Sequence, residues 1–192
     1  DIAYNFIVDR FGRIWEGNSG GVAKPIRGAH SKGFNTSSVG VSFLGQYQPG
    51  ASPAAAAPTA AALTAAGQLI GWKLALHGHS PSTRTTTVSR GSPKYPAGQV
   101  VTLDRVSGHR AVQLTSCPGD LLYSQLAKSR ATAVSYQASL PAAPAALLAN
   151  PPMASILRGV VVPPYVGDTQ WTNLVAAYDE LSEPLRTMCD GL

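Results

Sequence analysis

An α/β fold is predicted by three observations: strand patterns crowd into the first 47 residues, an apolar stripe at helical spacing follows a Pro-rich loop, and a second helical pattern starts near Pro118. With 192 residues and 44% hydrophobic content, the chain suits one ordinary core and a small appendage. Two full domains are not expected.

Tyr4, Phe6 and Val8 alternate with Ala3, Asn5 and Ile7, and Arg13-Ile-Trp-Glu16 resumes the extended pattern after Arg10-Phe-Gly12. That predicts a β-hairpin with Gly12 in its turn. A glycine-rich loop through Gly17, Gly20, Gly21 and Gly28-Ala-His30 leads to a third strand over residues 38–44, rich in Val and aromatic residues. After an Ala/Pro/Ser loop at 49–58, Leu63, Ala66, Ile70 and Leu74 share one helical face, which should cover the sheet and end near Gly78.

Residues 80–99 are polar and read as a long surface excursion before Val100-Val-Thr-Leu103. From Pro118 the pattern is helical again, with Pro118 suited to the first helical position, Asp120 to the positive end of the dipole, and Leu122 and Leu126 on a shared face. Residues 137–149 have no periodicity and two prolines, as linkers do, which divides the chain into 1–136, a linker and 150–192. Beyond the linker, residues 154–162 are a strand candidate, and Leu174, Ala177, Tyr178 and Leu181 form a helical stripe: a strand-helix appendage rather than an independent domain.

Composition excludes several classes. Lys+Arg outnumber Asp+Glu by 15 to 10, but the charge is spread thinly, with no basic run dense enough to track a phosphate backbone. Nucleic acid is therefore not an expected partner, whereas the thin positive charge is compatible with an anionic cell-wall polymer. No stretch approaches the ~20 apolar residues of a membrane span, and no basic-then-apolar leader opens the chain. Cys117 and Cys189, the two cysteines, make no disulfide framework and no CxxC spacing.

Gly108-His-Arg110 and Thr115-Ser-Cys-Pro-Gly-Asp120 place an imidazole and a thiol eight residues apart, with the thiol at an expected helix start that should favour thiolate. Thiolate and imidazole are what tetrahedral zinc takes. The same spacing also fits a hydrogen-bonded surface histidine and a buried helix cap.

Asp1-Ile-Ala-Tyr-Asn-Phe6, Gly12-Arg-Ile-Trp-Glu-Gly17, Gly28-Ala-His-Ser-Lys-Gly-Phe-Asn35, Ser38-Val-Gly-Val41, and Gly108-His-Arg110 with Cys117-Pro-Gly-Asp120 occur in one order. In these motifs residues 1–136 resemble the peptidoglycan recognition proteins, or type 2 N-acetylmuramoyl-L-alanine amidases. The resemblance implies a mixed central sheet flanked by helices, with zinc at the floor of a muropeptide groove. His109 and Cys117 would be the second and third zinc ligands. Tyr4 and Thr115 would assist catalysis, and His30, Asn35 and Arg110 would contact substrate. Zinc would lower the pKa of its bound water toward ~7 and polarise the amide between muramic acid and L-alanine.

Cys117 matches the hydrolytic branch, because receptor-type members commonly lack it. Ala111 stands where an Asp usually follows His-Arg. The family's first ligand, a His on a strand before the Tyr4 motif, has no counterpart in a sequence that opens in mid-pattern, so the zinc site is expected to be incomplete. His77-Gly-His79 is the remaining histidine pair, and it closes the Ala-rich helix far from these motifs.

Residues 150–192, with Gly167-Asp-Thr169 and Trp171, are similar to a different family, the taurine dioxygenases that use iron(II) and 2-oxoglutarate. There Thr169 would help hold a 2-oxoglutarate carboxylate, although the two His and one carboxylate that iron needs are absent. A fused reading frame is the expectation this raises. Three functions follow: a zinc-dependent muropeptide amidase acting outside the cytoplasm or in the cell wall, a peptidoglycan-binding module that does not cut, and a dioxygenase fragment.

Overall fold

The computed structural model describes residues 2–140. Strand β1 (Phe6–Val8) pairs antiparallel with β2 (Ile14–Glu16) and parallel with β3 (Val41–Phe43), giving a mixed sheet in the order β2-β1-β3. The hairpin turns where expected. Asp9 Oδ1 accepts from the Phe11 and Arg13 N–H groups at 2.9 and 3.0 Å, and Gly12, at φ +84°, occupies the left-handed position a bulkier residue would strain. Strand β3 is shorter than residues 38–44, because the Ser38 hydroxyl donates to the Phe34 carbonyl at 2.8 Å behind a 3-10 turn at Asn35–Ser37.

Helix α1 (Ala60–Ala75) begins at Thr59, whose hydroxyl oxygen accepts the Ala62 N–H at 3.1 Å. It covers the sheet, but of the expected stripe only Ala66 is fully buried. Ala62, Ala65 and Ala66 pack with Val8 against Ile14, Val41 and Phe43, whereas Leu63, Ile70 and Leu74 are only partly buried. The reason is distance: alanines let a helix lie close on the strands, and the larger residues fill its margins.

Helix α2 (Asp120–Tyr123) is a single turn, and α3 (Leu126–Ser139) packs across α1. The expected single helix from Pro118 is thus corrected: it starts at Asp120, with Gly119 as its N-cap, and Leu122 and Leu126 belong to different helices. The α1–α3 contact is very close. A Cβ on Gly67 would stand 2.5 Å from the Thr132 Cβ, and one on Gly71 would stand 2.5 Å from the Ala133 carbonyl oxygen.

The polar segment read as a surface excursion contains a strand. Strand β4 (Arg84–Val88) pairs antiparallel with β5 (Val100–Asp104), Thr86 opposite Thr102, as a separate two-stranded ribbon. Its inner side joins a second small core of Phe34, Val101 and Val112, edged by Tyr95, Leu103 and Ala111. Three consecutive threonines are β-branched and suit a half-buried strand, which their polarity disguises in the sequence. Helix α3 runs through Ser139, so the first residues of the expected linker are helical. The rest of that linker, the strand and helix expected beyond it, and Thr169 lie outside the described residues.

Candidate active site

Four side chains distant in sequence converge beside the start of β1. Tyr4 leads into β1, and His30 hangs from the loop that links β2 to β3. The two rings face each other with centroids 5.5 Å apart and planes 32° apart. His109 opens a 3-10 turn (His109–Ala111), and Cys117 lies on the loop that follows it. The Tyr4 hydroxyl hydrogen-bonds with the Cys117 sulfur, and His109 is near enough to His30 to disfavour its protonation.

Close packing places His30. Its Nε2 lies 3.1 Å from the Ser38 hydroxyl, which itself donates to Phe34, so Nε2 carries the proton and donates. Nδ1 is then left as a buried acceptor with no hydrogen-bond partner. The Ala3 carbonyl, which accepts the Ala29 N–H at 2.8 Å, lies close to it and favours the protonated ring. Glycine is needed on both sides of the ring: a Cβ at Gly40 would fall 2.5 Å from its Cγ, and one at Gly28 would fall 2.6 Å from Nδ1.

The Cys117 loop is tied down at several points. Thr115 Oγ1 accepts the Cys117 N–H at 3.1 Å, and the Cys117 carbonyl accepts from the Arg110 N–H at 3.0 Å. Arg110 spends its guanidinium internally: it donates to the Ser116 carbonyl and to Asp120 Oδ1 at 2.7 Å, and it stacks on Tyr123. Gln48 bridges to Asp120 at 3.0 Å, and the Leu121 N–H donates to the Tyr47 carbonyl at 3.1 Å, docking the loop against the chain after β3. Asn35 likewise serves its own loop, accepting the Ser31 N–H at 2.6 Å.

Burial dominates the electrostatics. It raises the Tyr4 phenol, an effect to which the Cys117 charge and hydrogen bond add, so the hydroxyl stays a donor across neutral pH. Burial also raises the Cys117 thiol, and the Tyr4 hydrogen bond and Arg110 charge only partly oppose it. The expected thiolate at a helix start is therefore corrected: α2 begins three residues later and is too short to act as a strong dipole. Burial lowers His109, and burial plus His109 lower His30, which keeps both imidazoles neutral with lone pairs available.

Residues 1–120 match the family described as N-acetylmuramoyl-L-alanine amidase. The chain belongs to this amidase family. One peptidoglycan-recognition protein of Drosophila melanogaster is 33% identical over 128 residues, covering 67% of this chain and 53% of that protein. Peptidoglycan-recognition protein SC2 of Drosophila simulans is 32% identical over 126 residues, covering 66% and 52%. A 41-residue segment, 21% of this chain, is 61% identical to 14% of an alpha-ketoglutarate-dependent sulfate ester dioxygenase of Pseudomonas putida. This chain spans about half the length of these two recognition proteins and a much smaller share of the dioxygenase. No solved structure matches it.

For an amidase of this family the donor chemistry of His109 and Cys117 suits zinc, and Tyr4 stands beside Cys117. The set stops short of a closed site: among the described residues, no group of three or more His, Cys, Asp or Glu is placed to hold a metal ion. His77 and His79, exposed beyond α1, do not complete it. Asn5 and Lys73, both buried, are functional candidates that sequence reasoning misses. Asn5 sits between two motif aromatics, and a Lys within a helix reads as solvated surface.

Proposed function

We propose that this chain acts on peptidoglycan as a zinc-dependent amidase, cutting the bond between N-acetylmuramic acid and the L-alanine of the stem peptide. The supporting observation is the convergence of Tyr4, His30, His109 and Cys117, which lie up to 113 residues apart in sequence. His109 and Cys117 would hold the metal with a further donor from outside the described residues. Bound zinc supplies Lewis acidity and a water of lowered pKa. Tyr4, kept protonated, offers its hydroxyl to a carbonyl oxygen that gains charge. Thr115 and Arg110 hold the Cys117 loop in place. His30 packs against Tyr4 and would meet the muropeptide through its ring, its Nδ1 being buried. The site of action would be the cell wall or the extracellular space. Among the described residues no helix is long and apolar enough to cross a membrane.

A second reading, peptidoglycan binding without cleavage, draws support from the lack of a third metal donor among the described residues. One experiment separates the two: zinc content and release of stem peptides from purified peptidoglycan, for the chain and for Cys117→Ser. The amidase reading expects release that stops on chelation, returns with zinc and falls at least about a hundredfold in Cys117→Ser. Sedimentation with peptidoglycan but no release at any zinc level would establish the binding reading instead. Neither binding nor release would remove both.

A further inference from the structure

Lys73 is only 4% exposed, yet among the described residues no carboxylate lies within ion-pair distance of its ammonium. Its Nζ donates to the Val22 and Lys24 carbonyls, both at 2.7 Å, and lies 5.9 Å from the Phe6 ring centre and 5.8 Å from that of Trp72. Glu16 attracts the ammonium only from beyond ion-pair distance, burial still lowers the Lys73 pKa, and an apolar side chain would cover the same surface without the cost of burying a charge. What the ammonium does, and an apolar group cannot, is hold two backbone carbonyls of the loop between β2 and His30.

That loop leads to the candidate site by an unbroken series of hydrogen bonds. The Lys24 N–H donates to Gly21 at 3.0 Å and the Ile26 N–H to Lys24 at 2.9 Å. The Ile26 carbonyl accepts from Asn5 Nδ2 at 2.8 Å, and Asn5 Oδ1 accepts the Gly40 N–H at 2.9 Å. Asn5 follows Tyr4 directly, and Gly40 lies flat against the His30 ring with no room for a Cβ. A shift of the loop would pass through Asn5 to Tyr4 and through Gly28 and Gly40 to His30.

We infer that Lys73 is a positioning residue: anchored on α1, its ammonium draws in the loop that leads to His30 and, through Ile26 and Asn5, sets where Tyr4 and His30 stand. The clamp follows from the structure alone, whereas its bearing on a muropeptide rests on the amidase reading above.

The test is Lys73→Met in the full chain, followed by amide hydrogen exchange, by NMR of the Tyr4 and His30 rings, and by binding of a soluble muramoyl tripeptide. Exchange over residues 17–30 should rise about tenfold while the β4–β5 ribbon is unchanged. Both ring signals should move, and affinity for the tripeptide should fall by a similar factor. If the methionine variant fails to fold, Lys73→Gln, which keeps an uncharged NH2 donor, should show the same changes at smaller amplitude. Unchanged loop exchange, or a rise spread evenly over α1, α3 and the ribbon, would overturn the inference. If the unaltered chain does not bind the tripeptide while loop exchange and ring signals respond, the clamp stands and the amidase reading fails.

Discussion

Gly40 shows how little freedom the site allows at a single residue. Its missing Cβ is the space that the His30 ring occupies, so Gly40→Ala must push the ring away from Tyr4 or part β3 from β1. Overpacking of this kind costs about 1–3 kcal/mol. Chemical denaturation should show that loss, and the His30 ring signals should shift; an unchanged midpoint with unchanged signals would mean the ring has slack. Tyr4, His109 and Cys117 are legible in the sequence because each sits in a short motif whose chemistry depends on residue type and order. Lys73 and Asn5 are not, because what makes them matter is a partner roughly 20 to 50 residues away. The protonation of Cys117 is hidden for a related reason. Burial outweighs the Tyr4 hydrogen bond and the Arg110 charge, and Tyr4 is distant in sequence.

Two elements carry predictions of their own. In the hairpin, burial works to raise the Asp9 carboxyl, but the Arg13 backbone N–H, the Arg13 side chain and the Phe11 N–H outweigh it and hold the carboxyl below its usual value. A lowered folded-state value means stabilisation that is complete above the unfolded value of about 3.9 and is lost as pH falls through the folded one. Arg13 is half-exposed, so the backbone donors carry most of the effect. Asp9→Asn should therefore unfold about 1–3 kcal/mol more easily at pH 7, with the gap to the parent closing below about pH 4. A gap that does not shrink at all as pH falls below the unfolded value would place the effect elsewhere. In α1, Gly71→Ala gains about 1 kcal/mol of helix propensity, yet its Cβ would meet the Ala133 carbonyl oxygen at 2.5 Å. Overpacking should win, so thermal melting should show a lower midpoint. A rise in the midpoint would show that α3 can yield. The existence of α1 is legible from periodicity, but its buried face is not, because alanine and glycine mark close approach only when the neighbouring element is known. Strand β4 escapes a sequence reading because polar threonines pair as well as apolar residues do when only one face is covered.

At the scale of the whole molecule, the α/β class and the mixed sheet are readable from strand patterns, motif order and family resemblance. The split into two sheets is not, because nothing local in 84–104 says which strands it will avoid. That ribbon touches both sides of the candidate site. The Arg90 N–H donates to the Gly33 carbonyl at 2.9 Å, and Phe34 meets Tyr95 edge-on with centroids 6.1 Å apart, on the His30 side. On the His109 side, Lys94 Nζ donates to the Arg110 carbonyl at 2.8 Å and the Ser92 hydroxyl to the Val112 carbonyl at 3.0 Å. The segment between the ribbon's strands therefore works as a spacer between two walls while supplying none of the four converging side chains. Shortening or lengthening it by grafting should shift the His30 wall against the His109 wall while leaving Tyr4, His30, His109 and Cys117 themselves unaltered.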